Sequence, residues 1–234
     1  MRFFLTFGYQ IQAVVIGWYI YHLTKDPLSL GMIGLSEAIP AISIALYGGY
    51  VADKSEKTKL LKLIMTGMFM CSLVLYLITL PSLASTMITS HIVGIIYVMI
   101  FCIGICRGFM GPATFSLMSM IIPRPLYPNS STWNSTGFQV ASIAGPAFGG
   151  LIYAYAGVST TFLLILAFIT ISFCCILFIR KRPPLFMPKE NIFQSLTVGI
   201  KFVLGNKMML GAMSLDMFSV FFWGRSCADS GDRQ

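Results

Sequence analysis

GGYVADKSEKTK, residues 48–59, lies between two long apolar runs and concentrates Asp53, Lys54, Lys57 and Lys59 in a few positions. A short charged stretch between two segments of membrane length marks a point where the chain leaves the bilayer and returns. The rest of the sequence follows the same plan. It is 56% hydrophobic and 10% charged, against about 25% charged in an ordinary soluble domain. Its mean hydropathy is +0.81. Apolar segments recur, each of the roughly 20 residues needed to cross about 30 Å of hydrocarbon. The chain reads as an all-α, polytopic membrane protein. Its net charge of +8 does not point to nucleic acid, because the bases are confined to a few short loops.

Working outward, six full spans are predicted at 3–23, 29–52, 60–80, 91–118, 131–156 and 161–179, with an interrupted seventh at 208–223. The fourth is too long for one crossing, so its last turns are expected to project into the cytoplasm. The Lys/Arg distribution orients the bundle. One side holds Arg2, then Lys54, Lys57, Lys59 and Lys62, then Arg124, then Arg180, Lys181 and Arg182. The other holds Lys25 beside Asp26, and His91. The N-terminus is therefore expected in the cytoplasm. Trp18, Tyr19 and Tyr21 end the first span where an outer aromatic belt belongs. No small-x-small cleavage site follows that first run, so it reads as a span and not as a signal peptide.

Four regions result: a six-span bundle at 1–180, a cytoplasmic linker at 181–206, the incomplete seventh span at 207–223 and a polar tail at 224–234. The linker opens with Lys181-Arg182-Pro183-Pro184, which stops the preceding helix. Ile192, Leu196, Ile200 and Val203 then share one face, predicting an amphipathic helix along the cytoplasmic surface.

Span five contains GFQVASIAGPAFGG, residues 137–150. Gly137, Ala141, Gly145 and Gly149 form a stripe of small residues, against which another helix can pack closely. Pro146 bends the helix, and neighbours must satisfy the carbonyl it frees. Glu37, Arg107 and Asp216 lie inside spans and are functional candidates, because an unpaired charge in lipid is costly. Glu37 has two readings: a proton-coupling carboxylate, since removal from water favours its neutral form, or a structural partner of Arg107. Of Gln10 and Gln12, two residues apart and so on different faces, at most one lines a cavity; Gln10 is the candidate. The cysteines show no CxxC or metal-like spacing. The two glycosylation sequons, at Asn129 and Asn134, fall on the cytoplasmic side. No catalytic triad, phosphate loop or metalloprotease motif is present, so no enzyme activity, cofactor or metal is expected.

Gly49, Asp53, Lys54 and Lys57 resemble the signature loop between the second and third helices of major facilitator superfamily transporters, with Ser55 and lysines in place of its second glycine and arginines. In that superfamily the loop latches the two halves in one access state; read alone, it is a solvated surface pair worth under about 1 kcal/mol. Ala141, Gly145, Pro146, Gly149 and Gly150 resemble the exporter-associated motif of span five. Residues 17–54 are similar to the bacterial branch around the enterobactin exporter. The resemblance implies two inverted three-span repeats, spans one and four lining a cavity, and spans two and five facing a second half. It also implies proton-coupled export of a hydrophobic drug-like or siderophore-like small molecule across a bacterial inner membrane. The implied partners are the lipid bilayer, the small-molecule substrate, and a missing C-terminal half or a second copy.

After Phe222 the sequence becomes WGRSCADSGDRQ, which cannot complete a span. Phe221-Phe222-Trp223 is encoded by a T-rich run, and loss of one T turns codon 223 into a glycine codon. The tail is therefore expected to be a frameshift product. The leading expectation is a truncated, inactive half whose span-five stripe lacks its partner. A homodimeric half-transporter and a non-transporting membrane scaffold are the alternatives.

Overall fold

The computed structural model describes residues 1–80 and 88–178, with residues 205, 210, 211, 214, 215 and 218; for 45, 46 and 52–54 it describes the backbone alone. The helices are α1 (Arg2–Thr24), α2 (Pro27–Lys54), α3 (Lys57–Thr79), α4 (Thr89–Ile121) and α5 (Tyr127–Leu177), with a 3-10 turn at Arg124–Leu126 before α5. All five are long and apolar enough to cross a membrane. No strand occurs among the described residues. The chain divides into two compact units, Met1–Pro188 and Lys189–Gln234. In the second, only the six single residues named above are described, all helical. The amphipathic linker helix, most of the seventh span including Asp216, and the polar tail lie outside the described residues.

Local chemistry explains the helix ends. Asp26 caps α2 by accepting the Leu28 N–H at 3.0 Å, and Pro27 takes the first helical position, where its missing N–H costs nothing. The charged stretch is less of a loop than its composition suggests. Helix α2 runs on through Asp53 to Lys54, and α3 begins at Lys57, so Ser55 and Glu56 alone connect them. The Ser55 N–H still bonds Val51 O at 2.9 Å, and the Leu60 N–H bonds Glu56 O at 3.0 Å. Charge marks where the chain leaves the bilayer, but a helix continues past the hydrocarbon wherever its backbone bonds remain available. Helix α4, at 33 residues, spans about 50 Å, longer than one crossing.

Helix α5 would exceed 70 Å if straight, at about 1.5 Å per residue. It is broken at Gly157, with φ 77° and ψ 176°, a backbone region essentially closed to residues with a Cβ. The two arms run in opposite directions, as their contacts with α1 show. Along the first arm, Gly137 lies beside Phe3 and Gly149 beside Ile11, so this arm is parallel to α1. Along the second, Gly8 faces Phe168 and the Ser172 hydroxyl donates to Met1 O at 2.9 Å, so this arm is antiparallel. The arms are therefore the fifth and sixth spans, joined through one glycine where the sequence reading left a four-residue gap.

Helix α1 packs against both arms, α2 against α4, and α3 against α4 and, where Ser159 donates to Thr79 O at 2.8 Å, the second arm. Exchanging α1, α2 and α3 for α4 and the two arms maps each of these contacts onto another that is present, which is the arrangement of inverted three-span repeats. The core is aliphatic: Ile11, Val15 and Ile20 on α1, Leu61 and Met65 on α3, and Phe162, Ile165 and Ile169 on the second arm are essentially inaccessible. On α4 the buried face recurs at Ile92, Ile96, Ile100 and Ile103, at helical spacing. On the outer face of α2, Leu28 and Ile42 are about 70% exposed and Leu35 and Ile39 about half exposed, as suits a side turned to lipid or to another helix.

Candidate functional site

Two glycines on α4 build the site. A Cβ at Gly104 would sit 2.5 Å from Glu37 O and 2.8 Å from Pro40 Cγ; one at Gly108 would sit 2.9 Å from Ala41 O. Gly48 at the far end of α2 does the same, with its Cβ position 3.0 Å from Gly108 O. The bare backbones let α2 and α4 lie nearly in contact, the packing device available where lipid offers no hydrophobic drive. Arg107 stands one turn beyond Gly104 and so projects at Glu37.

Arg107 Nη1 donates to Glu37 Oε1, forming an ion pair. Tyr9 on α1 completes the cluster. Its hydroxyl donates to the same Glu37 oxygen and accepts from Arg107 Nη1. The Arg107 guanidinium also lies over the Tyr9 ring, 4.3 Å from its centroid, a cation–π arrangement. Three spans thus converge on one carboxylate. The cluster borders an open groove of about 610 Å³ whose walls include Ala38, Ala41, Gly111 and Pro112. The Arg107 side chain is 43% exposed and Glu37 18%. A half-exposed guanidinium at the centre of a membrane helix costs at least about 2.5 kcal/mol if it faces lipid, so this side of the bundle suits water or polar partners.

Both residues of the ion pair were candidates from sequence; Tyr9 was not. Its signal is its depth. Tyrosines of an interfacial belt sit at span ends, whereas Tyr9 lies two turns inside α1.

Gln10 donates to Ser142 Oγ at 2.7 Å across the α1–α5 contact. Gln12 is the buried one, accepting from Ser72 Oγ at 2.7 Å. In the span-five stripe, Ala141, Gly145 and Gly149 are buried. A Cβ on Gly145 would lie 2.7 Å from Gln10 Cβ, and one on Gly149 would lie 3.0 Å from Ile11 Cγ2. The stripe expected to await a second half is filled by α1 of the same bundle. Pro146 lies within the stripe, between Gly145 and Gly149, and Gly150 has open space around its Cβ position. Of the signature stretch, Gly49 likewise faces open space, Lys57 is buried and engaged, and the side chains of Asp53 and Lys54 lie outside the described residues. No group of three metal-ligating side chains occurs among the described residues.

The sequence matches the family described as transmembrane secretion effector over residues 2–226. A staphyloferrin A transporter of Staphylococcus aureus (strain NCTC 8325 / PS 47) is 25% identical over 166 residues, a region that takes in 69% of this chain and 39% of that protein. The chain thus spans well under two thirds of its relative's length. A family match running through nearly the whole chain, on a bundle of inverted three-span repeats, leads to one conclusion: the chain belongs to the transmembrane secretion effector family of the major facilitator superfamily, whose members are membrane transporters.

Proposed function

We propose that this chain supplies one six-span half of a transporter that exports a small molecule by alternating access, with Glu37 as its proton-coupling carboxylate. The observation that carries the reading is the convergence of Tyr9, Glu37 and Arg107 from three helices at the edge of an open groove. An ionised Glu37 ties α2 to α4 through Arg107 and to α1 through Tyr9. Protonation removes the charge that holds the guanidinium, so proton entry loosens the contact among these helices. Motion of the bundle then follows occupancy of one site. The relative that transports staphyloferrin A supports a small organic substrate in the drug-like or siderophore-like range. The Lys/Arg pattern supports a cytoplasmic N-terminus in a bacterial inner membrane. A second six-span unit, from a longer gene product or another copy, completes the cavity.

The gene is sequenced through codon 222 and downstream first. About five further apolar spans in any one frame identify the full transporter; a clean stop makes the homodimer the leading reading, and its oligomeric state is measured next. The resulting protein is placed in proteoliposomes and substrate efflux driven by a pH gradient is recorded. Glu37→Gln is expected to abolish acceleration by the gradient while exchange at equal pH continues. Unchanged gradient dependence in Glu37→Gln sinks the coupling role.

A further inference from the structure

The seam between α1 and α2 carries a second feature. The two helices run antiparallel and touch sparsely. Tyr9 and Glu37 wall the charged groove together, Ala13 and Ile33 wall a small cavity beyond it, and Gly17 faces Leu30 one turn further on. These pairs step along one line, four residues at a time on α1. The charged groove and the small cavity share Tyr9 and Glu37. That cavity in turn shares Ala13 with an apolar groove of about 410 Å³. The apolar groove is floored by Ala13, Val14 and Gly17 and flanked by Trp18, Tyr21 and Leu30. Gly17 leaves the floor bare opposite Leu30, whose Cδ2 lies 3.7 Å from where a Cβ would stand, so a larger side chain there would fill the groove. Trp18 remains 59% exposed beside it, offering a ring face to whatever enters. The cavity that joins the two grooves is a narrow waist of about 40 Å³ lined by Tyr9 and Glu37; from Tyr9 to Tyr21 this waisted trough runs roughly 18 Å.

We infer that this trough is a binding site for an amphipathic organic acid, with its ring body in the Gly17–Trp18 groove and its acid group at Arg107. The inference rests on the transport reading of the site and names its substrate class. Charge complementarity selects the acid. Arg107 is the more exposed member of the ion pair and meets Glu37 through Nη1, leaving other guanidinium N–H groups for a second carboxylate. Shape and surface select the ring. The far groove has a small-residue floor and aromatic sides, suited to a flat apolar body. The Glu37 carboxylate lines the same groove, but it is 18% exposed against 43% for Arg107 and already accepts from Tyr9 and Arg107, so the guanidinium is the accessible charge and an amine is the weaker fit.

The test uses the 234-residue chain in lipid nanodiscs with Trp133→Phe and Trp223→Phe, leaving Trp18 as the only tryptophan. Energy transfer from Trp18 to 1-pyrenebutyrate is compared with transfer to 1-pyrenebutanol and 1-pyrenebutylamine. The acid should bind at least about tenfold more tightly than either analogue, the size of one charge-assisted contact. Arg107→Gln should remove that preference, and Gly17→Leu should weaken all three probes. Val14→Phe, which fills the groove from its other edge, serves if Gly17→Leu does not fold. Equal binding of the three probes, insensitive to Arg107→Gln, would mean partition into the bilayer and overturn the site. A preference for the amine would overturn the acid class. Neither outcome depends on transport, so the proteoliposome assay stands or falls separately.

Discussion

Gly104→Ala puts the close approach of α2 and α4 to a quantitative test. The new methyl would lie 2.5 Å from Glu37 O and 2.8 Å from Pro40 Cγ. An ordinary C···O contact needs about 3.3 Å, so the helices must separate by about 0.8 Å. The obstacle on the α2 side is backbone and a proline ring, neither of which can turn away. Overpacking of this kind costs typically about 1–3 kcal/mol. Against it stands the helix-propensity gain of alanine over glycine, about 1 kcal/mol. Gly94→Ala on the same helix isolates the two effects, because nothing lies within 4 Å of its Cβ position. The propensity gain is common to both variants and cancels, so Gly104→Ala should be less stable than Gly94→Ala by about 1–3 kcal/mol. Reversible unfolding from mixed micelles, followed by circular dichroism, reads that difference directly. Equal stability of the two variants would refute the argument, because it would require α2 and α4 to separate without loss.

Three further outcomes are expected from the same assay. Gly157→Ala should destabilise the bundle by about 1–3 kcal/mol, the cost of forcing a Cβ into that backbone region; stability equal to the parent would mean that the corner is not strained. Ser72→Ala should cost about 0.6 kcal/mol and at most about 1.7 kcal/mol, the average and the maximum measured for interhelical hydrogen bonds in a bilayer. Adding Gln12→Leu should recover part of it, and a purely additive double variant would show that the buried Ser72–Gln12 bond carries no coupling. Thr58 is 1% exposed, and its hydroxyl has no partner among the described residues, so Thr58→Val should be neutral or stabilising by up to about 1 kcal/mol; a clear loss would reveal a partner for that hydroxyl.

The spans were legible because charge and apolar length act locally. The ends of α1, α3 and α4 fall within a few residues of the positions set by their flanking charges. Helix α2 likewise ends at Lys54, two residues past the expected 52; what the composition of 48–59 did not show is that Ser55 and Glu56 alone separate it from α3. Gly157 stood in the expected gap between two spans. That it alone makes the reversal depends on its φ, which arises from both arms docking on α1. Glu37 and Arg107 stood out as charges within the first six spans, and their pairing was one of two open readings. Tyr9 did not stand out, because a tyrosine in an apolar run is usually a packing residue. Small-residue periodicity identified the face of span five, but periodicity carries no information about which helix fills that face, and α1 takes it.

The placement of α1 between the two arms has a consequence for biosynthesis. Its partners lie far downstream: Gln10 bonds Ser142, 132 residues later, and Met1 O accepts from Ser172, 171 residues later. At about 5–20 residues per second of elongation, the first segment to enter the membrane waits on the order of ten to thirty seconds for the last segments that cover it. During that interval Gln12 has only Ser72 on α3 to reach, and the notch of Gly8, later filled by Phe168, stays open to lipid or to an insertase. Site-specific photocrosslinking from Gly8 in ribosome-bound chains of increasing length should capture lipid or insertion machinery until about residue 170 has emerged, and the second arm thereafter. Nascent α1 is therefore the part of the molecule most dependent on outside help, although in the finished bundle it is clasped by both arms of α5.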